Sequence, residues 1–254
     1  LGRQLRVYRT LEELLADPKV ELVDLCVPTA LHPQQAIAAL KAGKHVLCEK
    51  PLALTSAKAR SMVRAARAAR GFFMPAMCMR FWPGWAFLKQ VVTEKTYGKI
   101  QAASFRRLSA TPGWSKATYS SGSLTGGALL DLHIHDTDFV QFLFGRPDSV
   151  ASRGVTRGGN SIDHVVTQYH YHRGPVVYAE GTWLMAGGFN MAYTVLCERA
   201  TIDYDLARGA EALRITETGK APRVVKCDGS DGYTEEISYM LQAILSGKAP
   251  RVVT

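Results

Sequence analysis

Over residues 1–80 the chain alternates short apolar runs with stretches in which apolar residues recur at helical spacing. Thr10 reads as a helix N-cap ahead of Leu11, Leu14 and Leu15, with Glu13 in the capping-box position and Pro18 beyond the end. Val20 to Val27 is nearly continuous in apolar residues and stops at Pro28 and Thr29, which predicts a strand buried on both faces of a parallel sheet. Pro33 to Ala42 carries Ala36, Ile37 and Leu40 on one helical face and ends at Gly43, a residue suited to the left-handed cap. His45 to Cys48 predicts a second buried strand closed by Glu49, Lys50 and Pro51; Ser56 to about Arg70 follows as a basic helix and Phe72 to Met79 as a third strand. Strands alternating with helices over short links are the grammar of a doubly wound α/β domain, whose ligands sit beyond the carboxyl ends of the strands. Pro28, Lys50 and Arg80 fall there.

After Phe81 the pattern changes. A helix near Trp85 to Glu94 leads to a strand at Ile100 to Leu108 and then to a loop rich in Ser, Thr and Gly. Between Gly126 and Gly145, Leu129, Leu132, Phe139, Val140 and Leu143 recur at helical intervals. From Asp148 onward, segments of alternating character at His164–Tyr171, Val176–Trp183, Met191–Glu198 and Ala200–Tyr204 predict a largely antiparallel sheet. Thr234 to Ser246 predicts a last helix, with Ile237, Met240, Leu241 and Ile244 on one face and Gly247 as its cap. The fold class expected is therefore α/β: a partial Rossmann-type doubly wound domain over residues 1–80, then an α+β domain over residues 81–254 with a large, mostly antiparallel open sheet.

Composition narrows the partners. A 254-residue chain with 47% hydrophobic residues is an ordinary globular one, and its apolar runs are too short for a membrane span. The net charge of +9 admits anionic partners, but the densest basic run, Lys58, Arg60, Arg64, Arg67 and Arg70, has no interleaved aromatics to stack on bases and reads as a solvated helix face. Neither nucleic acid nor membrane is expected as a partner. Five cysteines without a CxxC pair point to buried thiols in a reducing, cytoplasmic compartment.

Candidate chemistry gathers at two places. Asp131 and His135 stand four apart, so on one helix they share a stripe from which a carboxylate can orient a hydroxyl and an imidazole can take its proton. Lys50, at the end of a buried strand and before Pro51, can donate to a substrate oxygen, with Glu49 beside it as a partner. Spacing alone also admits a helix-surface pair and a solvated loop lysine.

The stretch DLCVPTALHPQQAIAALKAGKHVLCEKP, ending at Pro51, resembles the corresponding region of the Gfo/Idh/MocA oxidoreductases. The segment GGALLDLHIHDTDFVQFLFG, Gly126 to Gly145, is similar to that family's second signature, in which an Asp precedes a His by four. The resemblance implies a hydride exchanged between NAD or NADP and a hydroxyl carbon of a sugar, cyclitol or related polyol. It implies Lys50, Asp131 and His135 as catalytic residues, with His135 the acid/base, Asp131 orienting the substrate and Lys50 reaching the reacting oxygen. It implies Pro28, Thr29, His32, Glu49, Lys50 and Pro51 beside the cofactor, a cis peptide before Pro51, and homo-oligomers, dimers or tetramers, formed through the second domain's sheet. Arg80 and Trp114 are further substrate contacts to weigh against a structural arginine and a core indole.

No GxGxxG turn occurs in the sequence. The family pattern places it before Leu1, and the expectation here is truncation rather than natural loss. Two rival readings stand beside the oxidoreductase: a non-catalytic sugar- or partner-binding relative, and a metal-dependent hydrolase using the two histidines of DLHIH. His164, His170 and His172 read as sheet residues rather than metal ligands, and no metal is expected.

Overall fold

The structure is a computed structural model that describes residues 5–113, 119, 122–157, 161–227 and 231–253. Trp114 lies outside these described residues. The chain divides into two compact units, the first formed by Leu1–Ala76 with Ile237–Thr254 and the second by Met77–Glu236. The division thus falls four residues before the expected one, and the last helix, which the sequence order assigned to the second domain, groups mostly with the first unit.

In the first unit, α1 (Leu11–Ala16) starts at Thr10, whose hydroxyl accepts the Glu13 N–H as a capping box requires. The reciprocal bond is shifted by one residue, for the Glu13 carboxylate accepts the N–H of Arg9. Strands β1 (Leu22–Leu25), β2 (His45–Glu49) and β3 (Phe73–Ala76) form a parallel sheet in the order β1-β2-β3. Helices α2 (His32–Lys41) and α3 (Ser56–Ala68) make the crossovers. The middle strand β2 is buried along Val46, Leu47 and Cys48, as its continuous apolar run requires. The edge strand β1 instead alternates, with Val23 and Leu25 buried and Asp24 exposed, so only one of its faces is covered. Met62 anchors α3 in the core while Lys58, Arg60, Arg64, Arg67 and Arg70 face solvent.

The second unit opens with a 3-10 turn at Cys78–Arg80, which cuts the third strand shorter than its apolar run predicts. Helix α4 (Pro83–Glu94) follows, then β4 (Ile100–Ala110) and the short helices α5 (Gly122–Thr125), α6 (Gly127–Asp131) and α7 (Ile134–Phe144). Strands β5 (Ser149–Val155), β6 (His164–His170), β7 (Val176–Thr182), β8 (Leu184–Cys197), β9 (Ala200–Asp205), β10 (Leu213–Glu217) and β11 (Arg223–Val225) complete an eight-stranded sheet in the order β11-β10-β9-β8-β4-β7-β6-β5. Its pairings are antiparallel except β4 with β7. His164 and His170 lie on β6 as expected, whereas His172 falls past its end, where its backbone N–H donates to Asp148 Oδ2 at 2.6 Å. The terminal helix α8 spans Gly232–Ser246.

Trp85 is the hub of the second core. Its ring lies 4.8 Å from Phe139, 5.3 Å from Tyr193 and 5.8 Å from Phe105, centroid to centroid. The sheet face packed on α4 and α7 is therefore aromatic. The opposite face leaves Val166, Val176, Tyr178 and Leu196 exposed. Among the described residues, no helix is long and apolar enough to cross a membrane.

Candidate active site

In the first unit the carboxyl ends of β1 and β2 are joined by one side chain. His32 is almost wholly buried, with Nδ1 2.9 Å from the Pro51 carbonyl oxygen and Nε2 2.8 Å from that of Val27. The ring spans the two turns that follow the strands, so Pro28 and Thr29 on one side and Lys50 and Pro51 on the other are held in register. The Lys50–Pro51 peptide is cis. Glu49 Oε2 accepts the Lys50 N–H at 3.1 Å, and burial pushes the Glu49 carboxyl above its ordinary range while the Lys50 charge pulls it back. Beside it, burial pushes the Cys48 thiol up to about 12, which leaves it a core residue rather than a nucleophile.

This donor set, one ammonium and one carboxyl at a strand-end crevice, has the chemistry to bind the hydroxyls of a ribose and the amide end of a nicotinamide dinucleotide. Among the described residues, no GxGxxG turn adds backbone amides for the pyrophosphate. The residues present fit the nicotinamide-ribose end.

In the second unit the helix predicted over Gly126–Gly145 is broken in two. The His133 N–H reaches back five residues to Ala128 O at 2.8 Å, and the His135 N–H only three, to Leu132 O at 3.3 Å. Asp131 ends α6 and is half-buried; His135 is the second residue of α7 and is buried. The stripe expected on one continuous helix is thus carried across a break, with both residues retained beside it. Polar side chains at and after the break each meet a strand of the sheet. His133 Nε2 lies 3.0 Å from Thr167 Oγ1 on β6, and Asp136 accepts Arg107 Nε and Nη2 from β4 at 3.1 and 3.0 Å. Thr137 Oγ1 is 2.7 Å from Tyr169 Oη.

Arg80 resolves as structural. Its guanidinium meets the Asp138 carboxylate through two bonds of 2.8 and 2.6 Å and lies 4.5 Å over the Phe142 ring. His133 is likewise absorbed by the β6 hydroxyls, and among the described residues no three His, Cys, Asp or Glu side chains gather into a set that can hold a metal ion. Asp136, Arg107 and Thr167 escaped the sequence reading, and His133 entered it only as a candidate metal ligand; the one signal was the polar residues His133, His135, Asp136, Thr137 and Asp138 in an apolar helix.

Residues 3–76 match the model of an oxidoreductase family with an NAD-binding Rossmann fold, and residues 85–203 match the C-terminal domain of the same family, GFO/IDH/MocA. The chain belongs to the GFO/IDH/MocA family. Among curated members it is 33% identical, over 179 residues, to trans-1,2-dihydrobenzene-1,2-diol dehydrogenase of Macaca fascicularis, spanning 67% of this chain and 51% of that protein. It is 27% identical to myo-inositol 2-dehydrogenase of Thermotoga maritima over 97% of this chain and 76% of that one. The chain spans about half the length of the curated dihydrodiol dehydrogenases it matches. A levoglucosan dehydrogenase solved with NADH and levoglucosan shares the fold, with a TM-score of 0.85 at 24% identity over 97% of this chain and 77% of that one.

Proposed function

We propose that this protein is a nicotinamide-dependent oxidoreductase acting on a CH–OH group of a sugar, cyclitol or related polyol. The observation that carries the reading is the pairing of two family matches in chain order with a Glu49-Lys50-cis-Pro51 turn at the strand ends and a buried His135 four residues after Asp131. The dehydrogenases of dihydrodiols and of myo-inositol among the relatives support the substrate class.

A bound nicotinamide supplies the hydride acceptor or donor. His135 takes the proton of the reacting hydroxyl during oxidation and returns it during reduction. Lys50 donates a hydrogen bond to the reacting oxygen and stabilises charge that develops there. Asp131 accepts from a neighbouring substrate hydroxyl and so orients the ring. Pro28, Thr29, His32, Glu49 and Pro51 line the cofactor's nicotinamide-ribose end, Glu49 accepting from ribose hydroxyls. The nicotinamide is that of NAD or NADP.

We further read the exposed face of the eight-stranded sheet as a contact between copies. The register aligns Ser104, Tyr178, Gln168 and Ala151 in one row across four strands, with Val166 and Val176 nearby, a mixed apolar surface suited to self-association. Five free cysteines, two of them exposed, suit a reducing cytoplasm.

Steady-state kinetics on a panel of sugars, inositols and dihydrodiols test the reading. Lys50→Ala and His135→Gln are each expected to lower kcat by about a hundredfold or more while the fold is kept. Wild-type rates in both variants contradict the assigned roles.

A further inference from the structure

The helix that carries His135 begins irregularly. In a regular α-helix each N–H is bound to the carbonyl four residues back, but the ladder slips at this point, with a five-residue step at His133 and a long three-residue step at His135. Side chains on either side of His135 are tied to the sheet. Two residues before, His133 Nε2 sits 3.0 Å from Thr167 Oγ1, which is itself 2.9 Å from Ser152 Oγ on β5. One residue after, Asp136 is wholly buried and takes both Arg107 N–H groups at 3.1 and 3.0 Å. Arg107 in turn lies 5.2 Å from the centre of the Trp85 ring and donates to Met191 Sδ at 3.4 Å.

Stability does not account for this ion pair. Removing two charges from water carries a large desolvation cost, and well-packed apolar residues of similar volume serve a core as well or better. What the pair adds is direction, because a planar fork and a carboxylate meet in one geometry. That geometry fixes the Asp136 backbone on β4, and with it the rotation of the first turn of α7. We propose that the Arg107–Asp136 pair, together with the His133–Thr167 contact, is a positioning device that aims the His135 imidazole. This inference rests on the reading of His135 as the acid/base.

The test compares the wild-type protein, with its nicotinamide and a polyol it turns over, with two variants. Arg107→Met with Asp136→Leu replaces the pair by apolar residues, and Thr167→Val keeps the shape while removing the hydroxyl. Positioning predicts that the double variant keeps its Tm and its Kd for the nicotinamide dinucleotide, keeps KM within about threefold, and loses kcat by about tenfold or more. The ring NMR signal of His135, assigned by its loss in His135→Gln, is expected to broaden or split in the double variant and, less strongly, in Thr167→Val. A stable double variant with wild-type kcat and an unchanged His135 signal overturns the proposal. If the double variant does not fold, Thr167→Val decides by the same two readings. If the wild type turns over no polyol, the functional reading fails, and the His135 signal alone then upholds or overturns the positioning role.

Discussion

Gly181 faces His133 so closely that a β-carbon there would lie 3.0 Å from His133 Cβ and 3.2 Å from its Nδ1. The missing side chain on β7 is what lets the helix break settle on the sheet. Gly181→Ala is expected to displace His133 from Thr167 and to cost about 1–3 kcal/mol, read as a lower urea midpoint at unchanged slope. Gly187→Ala, where a β-carbon meets nothing within 4 Å, is the control expected to leave the midpoint near that of the wild type. Equal losses in both would remove His133 as the cause.

His133 also sets a pH dependence. Burial pushes its imidazole below the ordinary value of 6.5, the nearby Asp136 opposing and Arg107 assisting. The folded state therefore holds this ring neutral while the unfolded chain takes up a proton, so the stabilising contribution is full above about pH 6.5 and drains as pH falls below it, by at most about 1.4 kcal/mol per pH unit. His45, lowered by burial as well, acts in the same direction. Denaturation midpoints between pH 7.5 and 5.5, roughly one unit either side of the ordinary imidazole value, are expected to fall with acid in the wild type and to fall less in His133→Gln. Parallel curves would show that His133 titrates alike folded and unfolded.

The thiols divide by burial. Cys26 and Cys227 are exposed, whereas Cys48, Cys78 and Cys197 are buried, and burial pushes Cys48 up to about 12 and Cys197 up to about 11. A neutral-pH thiol reagent is expected to label the first two quickly and the others only on unfolding, as followed by mass spectrometry. Cys26 directly follows β1, so NADH is expected to slow its labelling and leave Cys227 unaffected. Protection of neither would weigh against a dinucleotide at these strand ends.

Trp85 carries the second core through its contacts with Phe105, Phe139 and Tyr193. Trp85→Ala is expected to destabilise that unit by about 3–5 kcal/mol, measured by chemical denaturation. A loss below about 1 kcal/mol would mean that the aromatic cluster closes over the gap.

Local signals were legible in the sequence, and distant partners were not. Thr10, Gly43 and the Glu49-Lys50-Pro51 turn act where they stand, through caps and turn chemistry written within a few residues. The alternation of β6 and β7 likewise marked them as strands of the sheet. The parallel pairing of β4 with β7 has no local signature, since it depends on chain folding across more than sixty intervening residues. The break at residues 132–133 was hidden for the same reason. Helical periodicity continues through it, and the partners that meet the side chains there, such as Arg107 and Thr167, are each roughly thirty residues distant. Motif and spacing nominated Asp131 and His135, while the contacts of His133 and Asp136 on either side of His135 became visible only in three dimensions.

The central claim is tested most directly by following the transferred hydrogen. Polyols deuterated at the carbinol carbon are incubated with the protein and NAD or NADP, and the reduced nicotinamide is analysed by mass spectrometry. The account predicts deuterium in the reduced nicotinamide with at least one polyol, and its loss in Lys50→Ala. Oxidation of a polyol without label reaching the nicotinamide, or no transfer from any polyol in the panel, would contradict it.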